Sequence, residues 1–270
     1  MPRLAACLLC LALYSFSSSG GDPQETPKLL WKDPSLPSRQ GDPAASSLPV
    51  LRAAQAAIHY FNYNLSSPSS LRAPEHVKKV SVKDIPGVGK KYFLHISTKD
   101  LQTGQKLGIC TASVFYVKTK PKPTVEITCI RNKDPVQRRR EDYSLYLSIR
   151  DSDEPSLDHL WALGTVGSSY IAWEKATVDS NYIMTQIKNV KQWRRTDESL
   201  EFDYSILLSS GVSESLSCHM RLIWKLGLPM KVKYDCSAED ESSGFGDGSG
   251  AEQGSTSGFL IEPEGNFLIG

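Results

Sequence analysis

The placement of the cysteines constrains this chain more than any other feature. Six are present. Cys7 and Cys10 fall in residues 1–19, which carry one charge, Arg3, then an apolar run over residues 4–16, then Ser17, Ser18, Ser19 and Gly20. A charged start, a short apolar centre and a small-residue exit are the marks of a cleaved secretory signal. The run is too short to span a bilayer, and no later stretch approaches spanning length, so the expected product is exported in soluble form without integral membrane insertion. Cys110, Cys129, Cys218 and Cys236 then remain. In an oxidising compartment an even count points to disulfides, with three pairings formally possible.

Strand alternation favours one pairing. Cys110, Ala112, Val114 and Tyr116 share a face, as do Val125, Ile127 and Cys129, while Thr124, Glu126 and Thr128 point the other way. The same pattern recurs in Cys218, Met220, Leu222 and Trp224 against Val232, Tyr234 and Cys236. If each hairpin closes antiparallel across its Pro-containing loop, Cys110 lies opposite Cys129 and Cys218 opposite Cys236, at a separation that a disulfide bridges.

The elements before each hairpin repeat as well. Leu51, Ala54, Ile58, Phe61 and Leu65 recur at steps of three and four, which predicts a helix that starts near Pro49 and ends at Ser66-Ser67-Pro68. Strand-like segments follow at residues 91–98, 109–117 and 124–129. A second helix is expected over about 157–174, then strands over 182–193, 200–208, 218–224 and 230–236. Between the halves a charged stretch holds Tyr143, Leu147 and Tyr146, a narrow apolar stripe on a short connecting helix. No alternation of helices with long buried strands is visible, so the class is α+β, with antiparallel sheets each packed on a helix. The expected organisation is a signal at 1–19, a disordered arm at 20–48, a first subdomain at 49–132, a linker helix at 133–155, a second subdomain at 156–236 and a disordered tail at 237–270.

Charge is unevenly distributed. Residues 50–236 hold 27 Lys and Arg against 19 Asp and Glu, a net charge of +8, whereas residues 237–270 hold seven acidic residues and no basic one. The tail mixes Ser, Gly, Asp and Glu, and Ser237-Ala238-Glu239 fits the Ser-x-Glu pattern of secretory-pathway kinases, which makes Ser237 a candidate phosphorylation site. Clustered carboxylates and added phosphates are hard oxygen ligands suited to Ca²⁺ and to a calcium carbonate face. The plain alternative is a solubilising acidic tail.

Catalysis finds no support. His59, His76, His95, His159 and His219 are isolated and form no metal-spaced pair, so neither enzyme nor cofactor is expected. The cysteines are too widely spaced for a zinc site. Asp84-Ile85-Pro86-Gly87-Val88-Gly89 reads as a structural turn. Asn64-Leu65-Ser66 is an N-glycosylation sequon at the expected end of the first helix, so Asn64 is a candidate glycan site, although Leu65 completes the apolar face beside it. Arg138-Arg139-Arg140 reads as a solvated helix face, with sulfated sugars or a processing protease as the alternative partners.

Four segments carry a resemblance: residues 53–63 (AAQAAIHYFNY), Asp84-Ile85-Pro86-Gly87, residues 167–173 (GSSYIAW) and residues 202–208 (FDYSILL). In these, and in the order of elements from about Leu48 to Cys236, the chain resembles the latexin family, which includes latexin and retinoic acid receptor responder protein 1; within it the pattern is most similar to the avian eggshell-matrix ovocalyxin branch. The resemblance implies two cystatin-like subdomains joined by a linker helix, and inhibition of a zinc metallocarboxypeptidase. It places the family's inhibitory loop on residues 209–217, with Val212, Ser213, Glu214 and Ser215 at its centre. That loop is one residue shorter than latexin's, and Glu214 stands near the place of a functional glutamine. A carboxylate accepts hydrogen bonds but donates none, so it meets a metalloprotease's own glutamate and zinc differently from an amide. The implied setting is a secreted extracellular matrix protein whose partners are a zinc metallocarboxypeptidase, calcium carbonate mineral and other matrix proteins, and not nucleic acid. The alternatives are a soluble inhibitor with no mineral role and a binding module that no longer inhibits.

Overall fold

Alanine dominates the centre of the first helix, α1 (Leu48–Asn64), and its small side chain allows neighbours to close in from several sides. The computed structural model describes residues 44–130, 134–152, 154–211 and 214–238. Val50, Ala53, Ala54 and Ala57 of α1 pack on a four-stranded antiparallel sheet of β1 (Arg72–Ile85), β2 (Gly89–Asp100), β3 (Lys106–Val117) and β4 (Thr124–Cys129), in sequential order. The opposite side of α1 lies on α3 (Leu157–Glu174). Burial therefore runs almost all round α1 rather than along the single expected stripe, and Leu65, expected to complete that stripe, is 46 % exposed.

The second half repeats the plan. Helix α3 covers β5 (Ile183–Trp193), β6 (Leu200–Ser209), β7 (Ser215–Trp224) and β8 (Lys231–Ala238), again antiparallel in sequential order. The Ser156 hydroxyl caps α3 by accepting from the His159 amide at 3.4 Å. Each half is thus a helix laid across a four-stranded meander, the cystatin-like arrangement. The first strand of each sheet carries two register shifts, between Pro74/His76 and Val77/Lys79 in β1 and between Met184/Gln186 and Ile187/Asn189 in β5. Such bulges bend a strand and increase its twist. The cysteines sit directly opposite one another, and Cys110 bonds Cys129 while Cys218 bonds Cys236, the pairing that strand alternation favoured.

Several expectations need correction. Strand β1 was not foreseen, because Arg72, His76, Lys78, Lys79 and Lys83 interrupt its apolar residues. The linker helix, α2 (Pro135–Arg150), buries Tyr146 and Ile149, while Tyr143 is 54 % exposed. It is also more than a connector: Tyr146 meets Trp224 edge-on at 5.9 Å, donates to the Glu198 carbonyl at 3.0 Å, and joins the core of the second half. Strand β8 continues to Ala238, so Ser237 is an exposed strand residue opposite Ser217 rather than the first residue of the tail. Ala45, placed in the arm, is buried against the first core. The expected signal, most of the arm and the tail from Glu239 onward lie outside the described residues.

Candidate functional site

The β6–β7 connection, onto which the resemblance placed the family's inhibitory loop, leaves its sheet between Ser209 and Ser215, which face each other across the strands. Val212 and Ser213 lie outside the described residues. Glu214 is exposed, its backbone carbonyl accepts from the Ser210 amide at 2.8 Å, and its carboxylate accepts from the Tyr182 hydroxyl. Tyr182 is only 6 % exposed and stands just before β5, so a buried phenol anchors one end of an exposed loop. Burial first, and the Glu214 carboxylate second, push the Tyr182 phenol upward, which keeps it a neutral donor. Nothing in the sequence marked Tyr182, because the pairing joins residues 32 positions apart.

Beside this loop lies an open cleft of about 570 Å³ whose walls come from both halves: Pro121 and Lys122 of the β3–β4 loop, Glu174 at the end of α3, then Tyr182, Leu216 and Tyr234. Lys122 reaches across to Glu174 at 2.8 Å, and its ammonium lies 4.4 Å from the centre of the Trp173 ring. Trp173 donates from Nε1 to the Pro123 carbonyl at 3.2 Å, and Tyr234 donates to Glu174 at 3.0 Å. Burial pushes Glu174 up, but bonds from Lys122, Tyr170 and Tyr234 outweigh it and hold the carboxyl below its ordinary range. Burial and then Glu174 push the phenols of Tyr170 and Tyr234 up to about 12. The cleft rim is therefore a fixed arrangement of a carboxylate, an ammonium and neutral phenols, and α3 positions it together with the β6–β7 loop.

Asn64 ends α1 and is exposed, with Nδ2 donating to the Tyr60 carbonyl at 3.2 Å. The Cys110–Cys129 disulfide lies on the first sheet, whereas Cys218–Cys236 and Ser237 lie on the second at the end of β7 and β8 that adjoins the β6–β7 loop, Ser237 opposite Ser217. Among the described residues no group of three His, Cys, Asp or Glu is arranged to hold a metal, and no helix is long and apolar enough to cross a membrane.

The chain is 35 % identical to ovocalyxin-32 of Gallus gallus, with 99 % of this chain and 100 % of the relative covered. It is 37 % identical to human retinoic acid receptor responder protein 1, covering 73 % of this chain and 76 % of the relative. It is 30 % identical to human latexin, covering 70 % of this chain and 93 % of the relative. The family model described as latexin matches residues 44–242, a span that takes in both helix-on-sheet halves and the helix between them, and the chain accordingly belongs to the latexin family.

Proposed function

We propose that this protein is an exported, non-enzymatic inhibitor of a zinc metallocarboxypeptidase, presented by the β6–β7 loop around Glu214. The observation that carries this reading is the Tyr182–Glu214 bond at the edge of a cleft built from both halves. A loop held before it meets its target loses less conformational entropy on binding. On this reading residues 1–19 are removed on export, and Val212, Ser213, Glu214 and Ser215 enter the rim of the protease. The test is steady-state inhibition of a pancreatic-type metallocarboxypeptidase, with papain and heat-denatured protein as controls. Dose-dependent inhibition of the carboxypeptidase alone is expected, weakened about tenfold in Tyr182→Phe by the loss of one charged hydrogen bond. Natively folded protein that leaves the carboxypeptidase untouched overturns the reading.

A mineral role is a second reading, favoured by an alignment with ovocalyxin-32 that covers 99 % of this chain. Residues 237–270, with seven carboxylates and a site at Ser237, would then adsorb to calcium carbonate within an extracellular matrix. Deleting residues 239–270 is expected to weaken adsorption to calcite and leave inhibition intact. Equal adsorption of the truncated and full chains counts against it.

A further inference from the structure

The net charge of +8 on residues 50–236 belongs entirely to the first half. Residues 50–130 hold twelve Lys and Arg against four Asp and Glu, and residues 131–236 hold fifteen of each. The strand register shows where the surplus goes. Tyr92, Leu94 and Ile96 of β2 face the core, so Lys91, Phe93, His95 and Lys99 form a column on the outer face of the sheet. Lys83 stands directly opposite Lys91, and Lys79 opposite His95. A register shift between Thr98 and Lys99, with Gly108 at φ 90°, sets Lys106 opposite Lys99. The bulge in β1 adds Lys78 beside Lys79, both exposed.

Two lysine pairs therefore face each other across strands, an arrangement that costs stability because like charges repel. Among the described residues no carboxylate lies within ion-pairing distance of Lys78, Lys79, Lys83, Lys91, Lys99 or Lys106. The outer face of the second sheet differs. There Glu201 pairs with Arg195 and Arg221, and Asp203 accepts from Trp193 at 2.6 Å. The second sheet thus sets Glu201 and Asp203 among its outer-face cations, although Lys233 there stands opposite Arg221, whereas the lysine column of the first sheet has no carboxylate within ion-pairing distance among the described residues.

We infer that the outer face of the β1–β3 sheet is a docking surface for a sulfated glycosaminoglycan, gripped by the lysine ladder of Lys83, Lys91, Lys99 and Lys106. The column from Lys91 to Lys99 is roughly 26 Å long from the rise of a strand, a line of charge suited to an extended polyanion of several sugar units. The cations are lysines, compact point charges that pair with the tetrahedral oxyanions spaced along such a chain. The Lys91 ammonium lies 5.1 Å from the centre of the exposed Phe93 ring, and competition with an oligonucleotide tests whether that ring stacks on bases instead. The inference goes beyond the proposed inhibition and does not depend on it, since the sheet face and the β6–β7 loop belong to different halves.

The test uses full-length protein and size-defined heparin oligosaccharides, with chemically desulfated heparin and a single-stranded oligonucleotide as competing probes. Binding to heparin is expected at about 0.15 M salt, falling steeply as ionic strength rises. The combined variant Lys83→Ala, Lys91→Ala, Lys99→Ala, Lys106→Ala should bind at least about tenfold more weakly and melt no lower than wild type. The control variant Lys188→Ala, Lys191→Ala, Lys231→Ala, Lys233→Ala removes the same charge from the second half and should stay within about twofold of wild type. Absence of heparin binding, equal losses in the two variants, or undiminished binding of desulfated heparin overturns the inference. Tighter binding of the oligonucleotide overturns it in favour of nucleic acid.

Discussion

His59 sits in the seam between α1 and α3, 2 % exposed, with Nδ1 3.3 Å from the Ser169 hydroxyl. Burial lowers its pKa from 6.5 to about 3, against a smaller opposing contribution from the Tyr182 backbone. The unfolded chain therefore takes up a proton near pH 6.5 that the folded chain refuses until about pH 3, so stability is level above that window and falls as pH drops through it. Glu174 and Glu201 have lowered pKa values and contribute stability that is lost only below about 4.5, so the two effects separate. Between pH 7 and 4.5 the wild type should lose about 3 kcal/mol, read from urea midpoints, and His59→Gln should lose much less. Equal losses would show that His59 is not the group responsible. Gly167 exemplifies another single-residue demand: a Cβ there would lie 2.5 Å from Met220 Sδ and 2.9 Å from Leu222 Cδ1. Gly167→Ala should destabilise by about 1–3 kcal/mol through overpacking, measured by chemical denaturation. The motif at residues 167–173 thus has physical content, since Gly167 lets α3 approach its sheet, Ser169 meets His59, and Tyr170 and Trp173 face α1.

At the scale of elements, each disulfide joins an inner strand to an edge strand that has a hydrogen-bonded neighbour on one side only. Edge strand β4 has six residues and β8 has eight. The closed loops, with separations of 19 and 18, should each contribute about 3 kcal/mol by restricting the unfolded chain. Replacing Cys218 and Cys236 together by alanine should lower the melting temperature, and an unchanged melt would remove the entropic account. Helix α2 is the element whose role changed most between sequence and structure. Its charged face was legible, but the inward pair, Tyr146 and Ile149, depends on where the second sheet meets it. Ile149 is fully buried, so Ile149→Ala should cost about 2–4 kcal/mol, whereas Tyr143→Ala should be close to neutral by the same denaturation assay.

On the scale of the whole molecule, α1 gives one side to its own sheet and the other to α3, and this shared helix couples the halves. Gln55 accepts from Asn181 at 2.7 Å, Tyr63 donates to the Met230 carbonyl at 3.0 Å, and Tyr60 and Tyr63 meet Trp173 and Tyr170 at 5.0 and 4.6 Å. Separating the halves would uncover this polar and aromatic layer together with buried alanines, so neither half should melt alone. Calorimetry should give one transition with equal calorimetric and van't Hoff enthalpies, and two resolved transitions would show that the subdomains are independent.

Local periodicity determined the helix-then-hairpin order, its repetition and the cysteine pairing, because a strand's alternation and a helix's three-to-four step are written into neighbouring residues. The sequence also held the segments that mark the family and the charge surplus of the first half. Tertiary structure alone decided that α1 is buried on two sides, that Tyr146 and Ile149 rather than Tyr143 turn inward, that Tyr182 holds Glu214, and that the lysines of β1 to β3 share one unneutralised face. Each of these brings together groups far apart along the chain, and their proximity is set by how helices and sheets stack rather than by any pattern within one element.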